Sequence, residues 1–349
     1  MRVAVVDSGA ICREASGVNA GTLTMHMTRA ALIPYALEGW RMWQEAQSWL
    51  GASLDVQAVD GVTVAFTQRE AEMLEQRARV RREAGAPIHV ISPERARELE
   101  PGLSDRVVLA ASCAVDGFNS PYLLGRAFKA ALSEAGVTVH EYQRVSAVDR
   151  VEDGFRVRAA GAALAADRLV LAGGVWLEEM LSWVRVHLPV RFLINQLVVT
   201  ERIPAVMRTV CSVASGLLSL KQFANGTVLI GGGWQGEGDR DSRRTKIRPE
   251  SFIGNVRLAS YTIPALSHAR VVRSWLGFEA ETADALPIIG DVPGVPGAYV
   301  IGSVHSGYTS GPYMGRLLAQ YMTTGDAELP LFDPARLLQA PALEKGANP

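Results

Sequence analysis

Lysine is nearly absent from this sequence: Lys129, Lys221, Lys246 and Lys345 are four among 35 basic residues, the rest being arginine. Such a bias reads as genome composition before it reads as function. Cysteine is as scarce. Cys12, Cys113 and Cys211 stand far apart and form no Cys-x-x-Cys pair, which points to a reducing, cytoplasmic setting. The six histidines show no His-x-x-x-His spacing, so no metal site is expected. Charge of one sign is missing too. A formal net charge of −1 leaves no electrostatic case for nucleic acid or for an acidic surface. No apolar run is long enough to span a bilayer, and the one at residues 3–6 is too short for a signal peptide. Peripheral contact with the inner membrane is left open. No internal repeat or low-complexity tract interrupts the chain.

What is present suffices for a large core: 349 residues, 48% hydrophobic, a length that points to two domains. A helical pattern runs to about Leu50 with Leu32, Ala36, Trp40 and Trp43 on one face, followed by a strand at 62–66 and a charged surface helix from Gln68 stopped by Gly85. Ser92 caps a short helix whose first residue is Pro93. Residues 107–175 read as an α/β passage. It has an apolar stretch at 107–110, a helix opened by Ser120-Pro121 and ended by Gly136, and strands at 137–140, 155–158 and 168–172. From about 186 to 278 the pattern changes to strand alternation, with strands at 192–200 and 271–277 and a hairpin over 219–230 turning at Asn225-Gly226. The last helix places Met314, Leu317, Leu318, Tyr321 and Met322 on one stripe, with Pro312 near its start and Gly325 after its end.

The opening run Val3-Ala4-Val5-Val6-Asp7 is a short, continuously apolar strand ending on an acid. The second strand of a dinucleotide-binding βαβ unit looks like this, with the acid placed to take a ribose hydroxyl. The first strand and Gly-rich turn of such a unit, roughly 20–30 residues, are therefore expected to be missing ahead of Met1. Small residues at 15–21 would let backbone N–H groups approach a pyrophosphate, against the alternative of an ordinary turn. Gly231-Gly232-Gly233-Trp234-Gln235-Gly236 matches G-x-G-x-x-G letter for letter and follows a strand. The polar residues 237–244 behind it cannot form the apolar helix face that motif needs, so a strand leaving the sheet through a turn is expected instead.

Six segments in order resemble the flavoprotein family of D-amino acid oxidase, glycine oxidase and sarcosine oxidase. The loop Ala15-Ser16-Gly17-Val18-Asn19-Ala20-Gly21 is similar to its second FAD-contacting loop, and Val115-Asp116-Gly117 with Ser120-Pro121-Tyr122-Leu123 to the entry of its central helix. Arg144-Val145 begins a strand similar to the one whose backbone holds adenine, and Ala172-Gly173-Gly174-Val175-Trp176 resembles an A-x-G-x-W turn. Residues 282–290 and 302–311 resemble the C-terminal signature that flanks the flavin ring. The resemblance implies an α/β (α+β) fold: a Rossmann-like FAD-binding domain in segments 1–45, 105–185 and 285–349, and an inserted antiparallel-sheet substrate domain from 46–104 and 186–284. It also implies oxidation of the C–N bond of an amino acid or secondary amine by hydride transfer to flavin N5. Subunit-type members are the most similar: those of multi-subunit sarcosine oxidase (its β-subunit), opine oxidase and hydrogen cyanide synthase.

Carried over residue by residue, the resemblance implies cofactor contacts at Asp7, Ser16, Gly17, Asn19, Ala20, Gly21, Val145, Ala172, Gly173, Trp176, Gly302, Gly307, Thr309 and Ser310. His305 and Tyr308 are the side chains expected to line the ring, against a structural role for a lone histidine. His26 is as readily packing as site. The turn at 307–311 leads into the last helix, whose positive N-terminus would face the flavin N1–C2=O edge. Glycine-oxidase-like members hold the substrate carboxylate with arginine in G-x-R-P, but here the stretch is Gly277-Phe278-Glu279-Ala280. That role passes to Lys221, Arg273 or Arg191, or vanishes; Glu279 would favour a cationic amine or else be a solvated loop acid. Gly277 stands where sarcosine-oxidase-like members carry a flavin-linking cysteine, so FAD is expected to be non-covalent. Two other readings stay open: a remnant that binds no flavin, and a polypeptide completed by a partner chain.

Overall fold

In the computed structural model, which describes residues 1–160, 162–302 and 307–338, two small parallel pairings and one nine-stranded sheet organise the chain. The apolar run at the start forms the strand Ala4–Val6, parallel to Thr138–His140 with Val5 opposite Val139. Leu169–Leu171 runs parallel to Ala298–Gly302, which pairs antiparallel with Ile288–Asp291. These two sheets do not join among the described residues. A meander of Val145–Val151, Gly154–Ala159 and Ala162–Ala166 stands beside them. Its Phe155 and Val157 enter a core with Leu171, Leu177, Leu181 and Val300.

The large sheet runs in the order Val271–Glu281, Arg191–Thr200, Val228–Gly231, Ser219–Gln222, Val210–Val213, Gln57–Ala65, Leu109–Phe118, Thr22–Leu23, with Ile88–Ile91 also on Leu109–Phe118. All pairs are antiparallel except Val210–Val213 with Gln57–Ala65. Two of its strands, Thr22–Leu23 and Leu109–Phe118, come from the segments 1–45 and 105–185 that the sequence placed with the cofactor domain. The alternation of the strands gives the sheet two unlike faces. One carries Val62, Val64, Cys211, Val213, Leu220 and Ile230 into an apolar core with Ala96 and Ala259, from the helices Pro93–Leu99 and Pro249–Thr262. The other carries Thr63, Ser212, Ser219 and Lys221, all buried.

The helices follow their sequence signals. The pattern to Leu50 becomes Ile33–Gln44 and Ala46–Leu50. The charged helix is Gln68–Glu83, held at its start by a capping box between Thr67 and Glu70. The last helix, Gly307–Thr324, crosses Ile33–Gln44 at Gly39, where a Cβ would lie 2.1 Å from the Thr309 carbonyl oxygen and 2.8 Å from Ser310 Cα. Only glycine permits that approach. Pro312 falls inside this helix and cannot donate to the carbonyl of Tyr308. The indole Nε1 of Trp43 donates to that carbonyl instead, at 2.9 Å. After Val228–Gly231 the G-x-G-x-x-G look-alike runs into a hairpin of Glu237–Asp239 and Arg244–Lys246, and the next helix begins only at Pro249.

Candidate active site

The layer between the polar face of the sheet and residues 22–26 is fixed by a carboxylate. Asp116 is buried; its Oδ1 accepts the Met25 N–H at 2.7 Å and its Oδ2 the Thr24 hydroxyl at 2.9 Å. Gly61 makes room for it, since a Cβ there would lie 2.0 Å from Asp116 Oδ2. Burial raises this carboxyl to about 7, against three hydrogen bonds, from Met25, Thr24 and Cys113, that favour its charge. The same segment reaches the last helix: Thr24 N–H donates to Thr309 Oγ1 at 3.2 Å, and Thr309 and Ser310 are buried. His26 is buried with Nε2 3.3 Å from the Gly61 carbonyl, and burial with the Arg81 charge lowers its pKa to about 4. Lys221 is fully buried, and among the described residues it donates to Thr22 Oγ1 alone. Burial without a counter-ion among them lowers its pKa to about 7.

The expected residues divide into those that meet this layer and those that do not. Glu279 lies opposite Leu193 in the sheet, accepts from Asn195 Nδ2, and is half-buried. Arg273 is exposed toward the outer end of its strand, its guanidinium 5.7 Å from the Trp275 ring centroid. Arg191 pairs with Glu281 at 2.7 Å. The Tyr308 ring stacks on Trp43 at 4.9 Å and its hydroxyl donates to Asn119 Oδ1 at 2.7 Å. His305 lies outside the described residues.

The small-residue loop is committed within itself. Residues Ala15–Val18 form a short helix, and Asn19 caps it through Nδ2 to the carbonyls of Ala15 (2.9 Å) and Ser16 (2.6 Å) while its Oδ1 accepts the Gly21 N–H. A Cβ at Gly17 would lie 2.0 Å from the Cys12 carbonyl oxygen, and one at Gly21, where φ is +67°, 2.2 Å from that of Asn119. Ala20 is half-buried between them. Asp7 follows the first strand and accepts the Gly9 N–H through Oδ1 at 2.7 Å. Val145 opens its strand opposite Ala159. Ala172 is exposed, and a Cβ at Gly173 would meet Met180 Sδ at 2.3 Å. Trp176 lies under the Arg243 guanidinium at 4.7 Å, and Arg243 also reaches Ser8 Oγ at 3.0 Å. Gly302 closes its strand against Leu177, and Gly307 opens the last helix.

A family model described as FAD dependent oxidoreductase, DAO, matches residues 1–321. The chain belongs to this family. An opine oxidase subunit of Rhizobium meliloti is 29% identical over 245 residues, 68% of this chain and 62% of that protein. The corresponding protein of Agrobacterium tumefaciens is 27% identical over 65% of this chain and 58% of its own length, so the chain spans about three fifths of these curated relatives. Glycine oxidase of Geobacillus kaustophilus is 24% identical over 91% of this chain and 85% of its own length. Its crystal structure superposes with a TM-score of 0.85, covering 95% of this chain and 90% of that one. L-proline dehydrogenase from P. horikoshii shares the fold with a TM-score of 0.83 at 19% identity, covering 96% of this chain and 97% of that one.

FAD is the cofactor of this family, and two orphaned donors show that the residues present fit it. Asn119 Nδ2 is buried without a partner among the described residues, and Lys221 Nζ has one hydroxyl for its three hydrogens. Lys221 adjoins Thr22 and Asn119 adjoins Tyr308 of the last helix, where the carbonyls and ring nitrogens of a flavin would give them acceptors. Asp116, which fixes the layer, stood in the Val115-Asp116-Gly117 stretch that carries the resemblance but was not expected as a site residue. Its signal was a charged residue inside an otherwise apolar strand, Leu109–Phe118.

Proposed function

We propose that this chain oxidises the carbon–nitrogen bond of an amino acid or secondary amine, with FAD held non-covalently and an amine substrate lying over the polar face of the sheet. The observation that carries the reading is Lys221: a buried lysine with no counter-ion among the described residues, set in the layer between the sheet and the cofactor-side segment 22–26. Structural cores avoid such a group unless chemistry needs it. The relatives' names, opine oxidase and glycine oxidase, support the same class of substrate.

Bound FAD supplies the two-electron acceptor that no side chain here can be. The chain's own residues prepare the amine. A substrate amine must lose its proton before its carbon can give up hydride, and burial against the sheet lowers its pKa as it lowers that of Lys221. Lys221 Nζ is balanced near neutrality and can take that proton. Glu279, oriented by Asn195, places a negative charge on the same sheet and favours a cationic amine on entry. Gly277 offers no nucleophile for a flavin link. The relatives named as subunits, of opine oxidase and of hydrogen cyanide synthase, support work within a heteromeric complex.

The test is the visible spectrum of the purified, desalted 349-residue chain, then turnover of D-amino acids, sarcosine and opines with dye and oxygen acceptors. A flavin spectrum near one per chain and reduction by one amine class are expected. A protein that stays colourless and takes up no added FAD would overturn the reading. A second reading, in which a partner chain completes the cofactor site, is favoured by one observation. Among the described residues Ala4–Val6 pairs only with Thr138–His140 and Leu169–Leu171 only with Ala298–Gly302, so each parallel pair keeps an edge without a strand. Uptake of FAD only in the presence of the partner would select it.

A further inference from the structure

Under the inner face of the Gln68–Glu83 helix lies a cavity of about 390 Å³ with an unusual wall. Arg29, Arg77 and Arg81 line it, and among its described lining residues there is no aspartate or glutamate. Arg77 and Arg81 are four residues apart and so share one side of the helix with the buried Leu74 and Ala78. Each is held by one backbone carbonyl: Arg77 Nη1 donates to Ala214 at 2.6 Å, and Arg81 Nε to Thr28 at 2.7 Å. Arg81 thus lines the cavity with its Nε committed to Thr28. Arg29 reaches Glu281 at 3.5 Å through Nη2, but Glu281 is nearer Arg191 at 2.7 Å, and Arg29 Nη1 is buried without a partner among the described residues. The floor is polar: the Thr63 and Ser212 hydroxyls bond each other at 2.6 Å, which uses one of their two hydrogens. His26 completes the wall as a neutral ring.

Three guanidinium groups around one pocket repel one another. Arg81 shows it, lowered to about 10 by burial and then by Arg77 and Arg29, with Asp116 opposing. A natural structure tolerates this where an anion arrives, and a planar guanidinium pair fits a carboxylate through two parallel N–H bonds. The cavity also has a definite neighbour. Ser212 pairs in register with Ser219, and Ser219 is two residues from Lys221 on the same face. From strand spacing, Ser212 and Lys221 are about 8 Å apart along the sheet, within the span of a small dicarboxylic amine.

We propose that this cavity is a subsite for a second carboxylate of the substrate, taken by Arg81 and Arg29 with the exposed Arg77 at the mouth. The ligand class is a small molecule carrying carboxylates at both ends. The assignment to substrate rests on the amine-oxidation reading above, but binding at the cavity does not, so the test measures binding without turnover. Succinate is titrated into the purified chain by calorimetry, with inorganic phosphate and acetate in parallel. Saturable succinate binding is expected, tighter than acetate, and weakened about ten- to hundred-fold in Arg81→Gln by loss of a charge-assisted contact. Arg77→Gln, an exposed position, provides a second variant that keeps the fold and should weaken binding in the same direction. No saturable succinate binding, undiminished binding by both variants, or binding of phosphate without succinate would each overturn the proposal. A negative result here leaves amine oxidation standing, and a colourless, inactive chain that binds succinate leaves the subsite standing.

Discussion

Replacing Lys221 by methionine should remove a rise of stability with pH above neutrality. The buried ammonium is lowered from 10.5 to about 7 by desolvation. The unfolded chain keeps this proton up to its ordinary value, whereas the folded chain releases it near neutrality. Between those values the unfolded state binds one proton more, so stability rises with pH by about 1.4 kcal/mol per unit. The upper end of the usable window is closed by the thiols. Cys12, Cys113 and Cys211 all have their pKa raised above 9.0, chiefly by burial, so they subtract stability once the unfolded thiols ionise. Below 7 two groups oppose each other. His26, lowered from 6.5 to about 4, adds stability as pH rises through that interval, while Asp116, raised from 3.8 to about 7, removes it. The thiol, His26 and Asp116 contributions are common to both proteins, so over pH 7 to 9 the Lys221 proton gives the native protein a rise of about 2 kcal/mol on top of them. Lys221→Met should lose that gain. At pH 7 it should exceed the native protein by about 4 kcal/mol: about 5 from the relieved desolvation, less about 1 for the hydrogen bond to Thr22. Urea unfolding at pH 7, 8 and 9 measures both quantities. Equal slopes for the two proteins, or a less stable variant at pH 7, would refute the placement of a lone buried cation in this layer.

Two further substitutions test the scaffold. Gly39→Ala drives a methyl group into the Thr309 carbonyl at the helix crossing, so it should cost about 1–3 kcal/mol and displace the start of the last helix. A lowered melting temperature together with weakened FAD uptake checks it; unchanged values of both would mean the crossing is looser than described. Glu100 is fully buried, and its Oε2 accepts the N–H groups of Arg208 (2.7 Å) and Thr209 (2.9 Å) and the Thr209 hydroxyl (2.9 Å). Glu100→Ala strands all three donors and should lower the unfolding free energy by about 3 kcal/mol or more, read from the urea midpoint.

The elements were legible because their signals are local. Proline at the first turn, glycine after the last, and the alternation of 192–200 each act within a few residues, and Ile33–Gln44, Pro121–Glu134 and Arg191–Thr200 appear close to where the pattern put them. That no helix follows Gly236 was legible for the same reason, since no apolar face follows it, whereas the hairpin found there was expected only as a turn. The site was less legible because it depends on which face a residue turns inward. Arg77 and Arg81 sit in a helix that reads as a charged surface element, and only the docking of Leu74 and Ala78 reveals that the same side carries two arginines to a cavity. Tyr308 was expected from its motif alone, and its partners Trp43 and Asn119 come from distant stretches of the chain that the sequence does not join to it.

The two faces of the large sheet explain why ionisable groups collect where they do. One face is closed by apolar side chains beneath two helices, with buried Glu100 at the end of one of them held by Arg208 and Thr209. On the other, Lys221, His26 and Asp116 are each shifted toward their neutral form, and Arg81 is strained by its own kind. A fold selected for stability alone would fill these positions with apolar residues, because each buried ionisable group costs free energy that packing must offset. Four of them in one layer, beside segments that carry the family's flavin signatures, mark a surface kept polar for what it binds.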